Sequence, residues 1–285
     1  MSELLRRVIV ACIGAPVVVG LIWIGDAALA ALASGLAAVA AWEFYRIARE
    51  AGSTPLAPLG VALSALLPLG THAHFLGVVQ VPVVACTLAT LVVIAAALMT
   101  RSVTDKPLGA AATTLLGIAY TGGTLSYAYA LRYFNYAVGD TAGALVALLP
   151  VLLTWSSDTG AFFAGRLLGG AKLMPSVSPA KTVSGAFGGV VTTAIACALF
   201  VQFLLKPYAQ LAFSPWGLLT FAIGISLTAQ IGDLVESAFK REAAVKDSGT
   251  LFPGHGGVLD RLDSMFFVLP VSYALYWWLL IPVPA

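Results

Sequence analysis

Between residues 233 and 263 the chain gathers much of its ionisable chemistry. Asp233, Glu236, Glu242, Asp247, Asp260 and Asp263 are six of its thirteen acidic residues, and Lys240, Arg241, Lys246, Arg261 and His255 lie among them. A second concentration, 158–182, holds Asp158, Arg166, Lys172 and Lys181. Carboxylates beside several basic side chains suit a divalent cation and phosphate oxygens. Mg²⁺ is usually held by one or two carboxylates plus substrate phosphates, and Lys and Arg neutralise phosphate charge. No Ser–His–Asp order, nucleophilic Cys motif or Walker A loop is present. Metal-assisted phosphoryl or nucleotidyl transfer is the chemistry this composition favours.

Spacing adds detail. Asp233, Glu236 and Lys240 fall at i, i+3 and i+7, one stripe of a helix, and Asp260 and Asp263 fall at i and i+3. Between them runs Gly249-Thr250-Leu251-Phe252-Pro253-Gly254-His255-Gly256-Gly257, a Gly/Pro-rich loop able to bring backbone N–H groups close to a phosphate. A solvated mixed-charge loop is the ordinary alternative. Against it, Asp233 is flush with the end of an apolar run, and Asp260 and Asp263 with the start of the next. Ionisable groups at a membrane boundary are costly and usually have partners or functions.

The elements that position these residues are apolar. Of 285 residues, 60% are hydrophobic and 10% charged, whereas a soluble domain carries about 25% charged residues. The net charge of +2 gives no argument for nucleic acid. Nine segments approach the length of a spanning helix: 8–25, 27–45, 56–71, 75–99, 108–131, 141–157, 183–205, 214–232 and 264–282. The first is too long for an ordinary signal sequence and reads as a retained helix. Gly122-Gly123 and Pro150 predict kinks in the fifth and sixth. With the N-terminus cytoplasmic, Arg6, Arg7, Arg46, Arg49, Arg101, Lys106, Arg166, Lys172, Lys181, Lys240, Arg241, Lys246 and Arg261 fall on the cytoplasmic side, leaving Arg132 and Lys206 outside. That sorting obeys the positive-inside rule. The expected fold is an all-α polytopic membrane protein of about nine transmembrane helices, N-terminus cytoplasmic and C-terminus outside. Residues 1–135 would be scaffold, and 136–285 the catalytic region with cytoplasmic loops 158–182 and 233–263. Gly165/Gly169 and Gly185/Gly189 allow close helix approach. Cys12, Cys86 and Cys197 form no CxxC pair and read as buried small hydrophobes.

One stretch is specific. Ser237-Ala-Phe-Lys240-Arg241, four residues, then Lys246-Asp247-Ser-Gly-Thr-Leu-Phe-Pro253-Gly-His255-Gly256-Gly257-Val-Leu-Asp260-Arg261-Leu-Asp263 resembles the signature of the phosphatidate cytidylyltransferases, or CDP-diacylglycerol synthases. Upstream, Asp158-Thr-Gly-Ala-Phe-Phe-Ala-Gly165-Arg166 and Ser178-Pro179-Ala180-Lys181-Thr182-Val-Ser184-Gly185 resemble two further family segments, with Ser184 where the family often has Glu. The first 130 residues match only as hydrophobic helices.

The resemblance implies that CTP and phosphatidate give CDP-diacylglycerol and pyrophosphate with Mg²⁺, with room for a second metal ion. The site would lie at the cytoplasmic face of the inner (plasma) membrane, where a lipid held in the bilayer meets a nucleotide held in water. Metal ligands would be Asp233 and Asp260, with Asp263 as a third carboxylate, either a ligand or paired with Arg261. Lys240 and Arg241 would hold phosphates, and His255 would hydrogen-bond a phosphate or protonate leaving pyrophosphate. Asp247 and Arg261 join the catalytic group. Ser178, Lys181, Thr182, Lys246, Gly256 and Gly257 would contact phosphate or nucleotide. Asp158 would complete the metal site or orient Lys181, and Arg166 and Lys172 would guide the lipid headgroup. Partners are CTP, phosphatidate and membrane lipid, without nucleic acid; a homodimer is compatible with the sequence. Two rival classes remain at this point. A CTP-dependent polyprenol or other lipid kinase would transfer the γ-phosphoryl instead. An ion-coupled transporter would place charge near the bilayer midplane, yet 75–99, 108–131, 183–205 and 264–282 contain no acidic or basic residue.

Overall fold

The structure, a computed structural model, describes residues 3–80, 83–249, 251 and 256–283. Its helices are α1 (Glu3–Ile24), α2 (Asp26–Glu50), α3 (Ala57–Phe75), α4 (Val83–Thr100), α5 (Pro107–Ile118), α6 (Thr124–Arg132), α7 (Asp140–Leu168), α8 (Val183–Phe200), α9 (Lys206–Ala209), α10 (Pro215–Glu242), α11 (Leu259–Leu262) and α12 (Met265–Leu279). Two small antiparallel sheets accompany them: β1 (Lys172–Met174) with β2 (Ser178–Thr182), and β3 (Leu211–Phe213) with β4 (Leu280–Pro282).

Among the described residues a helix lies on each of the nine apolar segments. Five helical stretches are long and apolar enough to cross a membrane: Asp26–Glu50, Asp140–Leu168, Val183–Ala209, Pro215–Glu242 and Leu259–Leu279. Large apolar side chains such as Leu88, Leu91, Val92, Ile94 and Leu98 on α4, or Phe162, Phe163 and Leu167 on α7, stand exposed on the bare chain. So much outward apolar surface suits hydrocarbon as the solvent. Cys12 and Cys86 belong to this outer surface and only Cys197 is buried, which corrects the expectation for the first two. An apolar run that faces lipid has no inside and outside that hydrophobicity alone can tell apart.

The fifth segment is interrupted where the paired glycines predicted it: a π-helical turn, Ala119–Gly123, joins α5 to α6. Pro150 leaves α7 helical throughout. Two helices outrun their apolar segments. α7 continues to Leu168 and stops at Gly169 and Gly170, which adopt φ of 61° and 103°. α10 continues to Glu242 and stops where Ala244 turns left-handed at φ 53°. Asp158, Arg166, Asp233, Lys240 and Arg241 therefore ride on helices rather than on loops. Gly169 is a helix stop, not a packing residue.

The chain divides into two compact units: one of residues Met1–Tyr129 and Phe239–Leu262, the other of Ala130–Ala238 and Asp263–Ala285. In the first, α2 buries Ala30, Ala33, Ala37, Ala40 and Ala41, small side chains that let neighbouring backbones come close. Tyr45 is wholly buried, and a Cβ on Gly60 or on Gly117 would fall within 2.5 Å of its ring. Its hydroxyl donates to the Thr114 carbonyl at 2.7 Å.

In the second unit α7 and α8 cross at small residues. A Cβ on Gly160 would meet Thr192, one on Gly185 the Ala161 carbonyl, and one on Gly188 the Ala164 side chain. Polar links add to that packing, since within hydrocarbon such groups must pair with one another. Ser157 and Ser226 hydroxyls lie 2.8 Å apart, and Gln230 Nε2 donates to the Ala186 carbonyl at 3.2 Å. They tie α10 to α7 and α8 in the stretch just before Asp233.

Candidate functional site

In the second unit the site residues come from α7, the β1–β2 hairpin, α10 and the start of α12. Asp158 and Arg166 are exposed on α7. The hairpin carries Lys172 and Ser178 and turns the chain back so that Lys181 precedes α8 directly. Thr182 caps α8, its Oγ1 accepting from the Gly185 N–H at 3.1 Å. Ser184 donates to the Gly169 carbonyl and lies 3.1 Å from Thr182 Oγ1. The hydroxyl at this position thus closes the hairpin onto the end of α7. Lys181 Nζ reaches Asp233 Oδ2 at 2.7 Å, both side chains partly exposed, and Ser237 Oγ donates to Asp233 Oδ1 at 3.3 Å. Gly232 lets another strand of chain come close: a Cβ there would lie 2.7 Å from the Asp263 carbonyl and 2.9 Å from Ser264 Cα. The Asp263–Ser264 backbone is thereby laid against α10 one residue before Asp233. Ser264 reinforces this by donating to the Ala229 carbonyl at 3.0 Å, and Asp263 Oδ1 accepts from the Ser264 N–H at 2.7 Å.

In the first unit Asp260 is the centre. Its Oδ2 accepts from the Ser248 N–H at 2.9 Å, the Ser248 hydroxyl at 2.8 Å and the Gly257 N–H at 2.8 Å. Its Oδ1 accepts from Lys240 Nζ at 2.7 Å, and the two side chains are 5% and 14% exposed. Gly256 holds φ 79°, and a Cβ there would lie 2.3 Å from Asp260 Oδ2. Glycine is thus required at 256 both for its left-handed backbone and for the close approach. Arg241, Lys246, Asp247 and Arg261 are exposed at the surface. Glu236, the middle member of the helix stripe, is buried instead. His255 lies outside the described residues.

Glu43 was not visible as a site residue from sequence. It sits on α2, 1% exposed, more than 200 residues from its partners. Its Oε2 accepts from the Ser248 hydroxyl at 3.0 Å and the Leu259 N–H at 2.8 Å, and its Oε1 from the Val258 N–H at 3.2 Å. The one available signal was a lone acidic residue inside a predicted span, which by position alone is a functional candidate.

Among the described residues no group of three His, Cys, Asp or Glu side chains is placed to hold a metal ion. The donors a Mg²⁺ ion would take here are the carboxylate oxygens of Asp233 and Asp260. Each of Asp233 and Asp260 already holds a cationic nitrogen at 2.7 Å on one oxygen, and hard oxygen donors completed by substrate phosphates are the usual Mg²⁺ set. A cavity of about 300 Å³ lies elsewhere, among Tyr136, Val138, Tyr208, Gln210 and Val283. It adjoins the start of α7, roughly 27 Å along the helix from Asp158 at 1.5 Å per residue. It is no part of the site.

Basic and acidic side chains are thus set at the ends of long apolar helices. The chain belongs to the cytidylyltransferase family, whose model matches residues 5–279. It is similar to proteins named phosphatidate cytidylyltransferase: 43% identical over 161 residues to one from Staphylococcus epidermidis, 44% to one from Staphylococcus saprophyticus and 40% to one from Staphylococcus aureus. Each match takes in 56% of this chain and 57% of the relative, so the chain spans little more than half the length of these curated relatives.

Proposed function

We propose that this protein is a phosphatidate cytidylyltransferase, forming CDP-diacylglycerol and pyrophosphate from CTP and phosphatidate at the cytoplasmic face of the plasma membrane. The observation that carries the reading is a pair of Lys–carboxylate contacts, Lys181–Asp233 and Lys240–Asp260, each at 2.7 Å, in which Lys181, Lys240 and Asp260 belong to stretches that resemble the family's motifs. Phosphatidate is a phosphomonoester with a second pKa of about 6, as for phosphoserine, so it is largely dianionic near neutrality and needs no strong base. One of its oxygens attacks the α-phosphorus of CTP. The new P–O bond forms as the bond from the α-phosphorus to the bridging oxygen breaks, and that electron pair leaves with pyrophosphate. Bringing two anions together is the main obstacle. Lys181, Lys240 and Arg241 offset their charge at the phosphates, and Arg166 and Lys172 draw the lipid headgroup. Ser178, Thr182, Lys246, Gly256 and Gly257 line the nucleotide, with His255 available to leaving pyrophosphate. Mg²⁺ held by Asp233 and Asp260, with Asp263 as a third carboxylate, would neutralise charge and align the attack.

The test is a detergent-solubilised assay with phosphatidate and CTP labelled at the α or the γ position. The α label is expected in lipid and the γ label in pyrophosphate. A γ label in lipid would make the protein a lipid kinase and overturn the reading.

The interface location follows from the substrates. Each buried CH₂ holds phosphatidate in the bilayer by about 0.8 kcal/mol, while CTP cannot enter hydrocarbon. Reporter fusions are expected to place 46–55, 101–107, 158–182 and 233–263 in the cytoplasm and residue 285 outside. A cytoplasmic reading at residue 285 would remove the nine-span topology.

A further inference from the structure

We infer that Glu43, far from the motifs in sequence, is a positioning residue that shapes the phosphate-binding loop; the inference rests on the cytidylyltransferase reading above. The described flanks of that loop, 246–249 and 256–260, fold around its carboxylate. Both oxygens are used: the Ser248 hydroxyl and the Leu259 N–H reach Oε2, and the Val258 N–H reaches Oε1. Two glycines of the motif exist to admit it. A Cβ on Gly249 would lie 2.2 Å from Glu43 Oε1, and one on Gly257 would lie 2.3 Å from both oxygens. Neither glycine has a positive φ, so close approach, not backbone freedom, explains them.

Neighbours of Glu43 on α2 fix the surroundings of the loop by other means. Arg46, one turn on, donates to the Ser248 carbonyl. Phe44 packs edge-on against Phe239 at 5.9 Å and tilts against Tyr120 at 5.9 Å, fixing the helix segment that carries Lys240. Tyr45 is clamped by Gly60 and Gly117. Ser248 is the shared element, since its hydroxyl also reaches Asp260 Oδ2. Glu43 thus acts through Ser248 and the 257–259 backbone on the carboxylate that pairs with Lys240. It touches no substrate phosphate itself, because its oxygens are turned onto protein N–H and O–H groups.

Glutamine at 43 has nearly the same shape but presents one NH₂ in place of an oxygen. Whichever way the amide turns, a donor confronts a donor. Misplacing a phosphate-binding loop by about 1 Å costs on the order of 10²-fold in rate. The experiment compares wild type with Glu43→Gln and Glu43→Asp as full-length protein in detergent. It measures steady-state kinetics with each substrate and hydrogen exchange resolved over 246–262. Glu43→Gln is expected to lower kcat/KM for CTP about 10²-fold, raise KM for CTP and leave KM for phosphatidate unchanged. Exchange should quicken at 246–262 while α7 and α8 keep wild-type protection. Glu43→Asp keeps two acceptors and should recover part of the loss. Wild-type kinetics and exchange in Glu43→Gln would overturn the inference. So would a fall in kcat with KM for CTP unchanged and exchange raised through both units, which marks loss of folded protein. If wild-type protein makes no CDP-lipid yet the variant still loosens 246–262, the loop clamp stands and the proposed reaction falls.

Discussion

Asp233→Asn is expected to lower CDP-lipid formation at least about 10²-fold while the protein still folds and inserts. The two halves of that expectation come from different features of one side chain. Asp233 is 35% exposed, and its contact with Lys181, itself 23% exposed, is open to solvent screening. Ion pairs of that kind contribute about 0–1 kcal/mol. Asparagine keeps the shape and can still accept from Ser237. Thermal stability should therefore stay close to wild type. The charge is what disappears, and with it the partner that holds Lys181 in place and, on the proposed reading, the attraction for Mg²⁺. Raising Mg²⁺ should recover part of the activity if the carboxylate is a ligand. Near-normal turnover would end the metal assignment at this position. A large fall in melting temperature would instead make Asp233 a folding residue.

Asp260→Asn should damage stability as well as activity. Asp260 is 5% exposed and takes four hydrogen bonds, three at Oδ2 from Ser248 and Gly257 and one at Oδ1 from Lys240. An asparagine amide must point its NH₂ either at the three donors or at the ammonium group. It also leaves Lys240, 14% exposed, without its countercharge. Breaking a buried pair from one side costs about 3–5 kcal/mol. We expect a clearly lowered melting temperature in detergent and CDP-lipid formation reduced by at least about 10²-fold. Unchanged melting with lost activity would show that the pairing contributes nothing to the fold. Wild-type behaviour in both would remove Asp260 from the site. Set beside Asp233→Asn, the pair of variants separates a solvent-facing carboxylate from one built into a loop.

What was legible in the sequence was whatever depends on local pattern. Length and apolarity located the helical segments, because a spanning helix must satisfy its own backbone within one continuous stretch. The π turn at Ala119–Gly123 sits at the glycine pair that announced it. Lys181, Lys240 and Asp260 were also legible as side chains standing in recognisable strings, and Asp233 as a carboxylate at the end of an apolar run, in helical register with Glu236 and Lys240. The helix ends were not. α7 and α10 continue past their apolar runs to Leu168 and Glu242, because helical hydrogen bonding does not stop where hydrophobicity does.

Partner choice belonged to the tertiary structure alone. Lys181 meets Asp233 and Lys240 meets Asp260, pairs 52 and 20 residues apart that no helical or strand period links. Gly232, Gly249, Gly256 and Gly257 looked alike as letters, yet they admit three different neighbours: the Asp263 backbone at Gly232, Asp260 at Gly256, and Glu43 at both Gly249 and Gly257. Glu43 is the sharpest case. In sequence it is one acidic residue in an otherwise apolar predicted span, 27–45. In the fold it is the acceptor for three donors of the loop. A buried carboxylate and its N–H donors must find each other in space, where leaving either unpaired costs free energy. That requirement acts on distance in the folded chain and leaves no periodic trace along it.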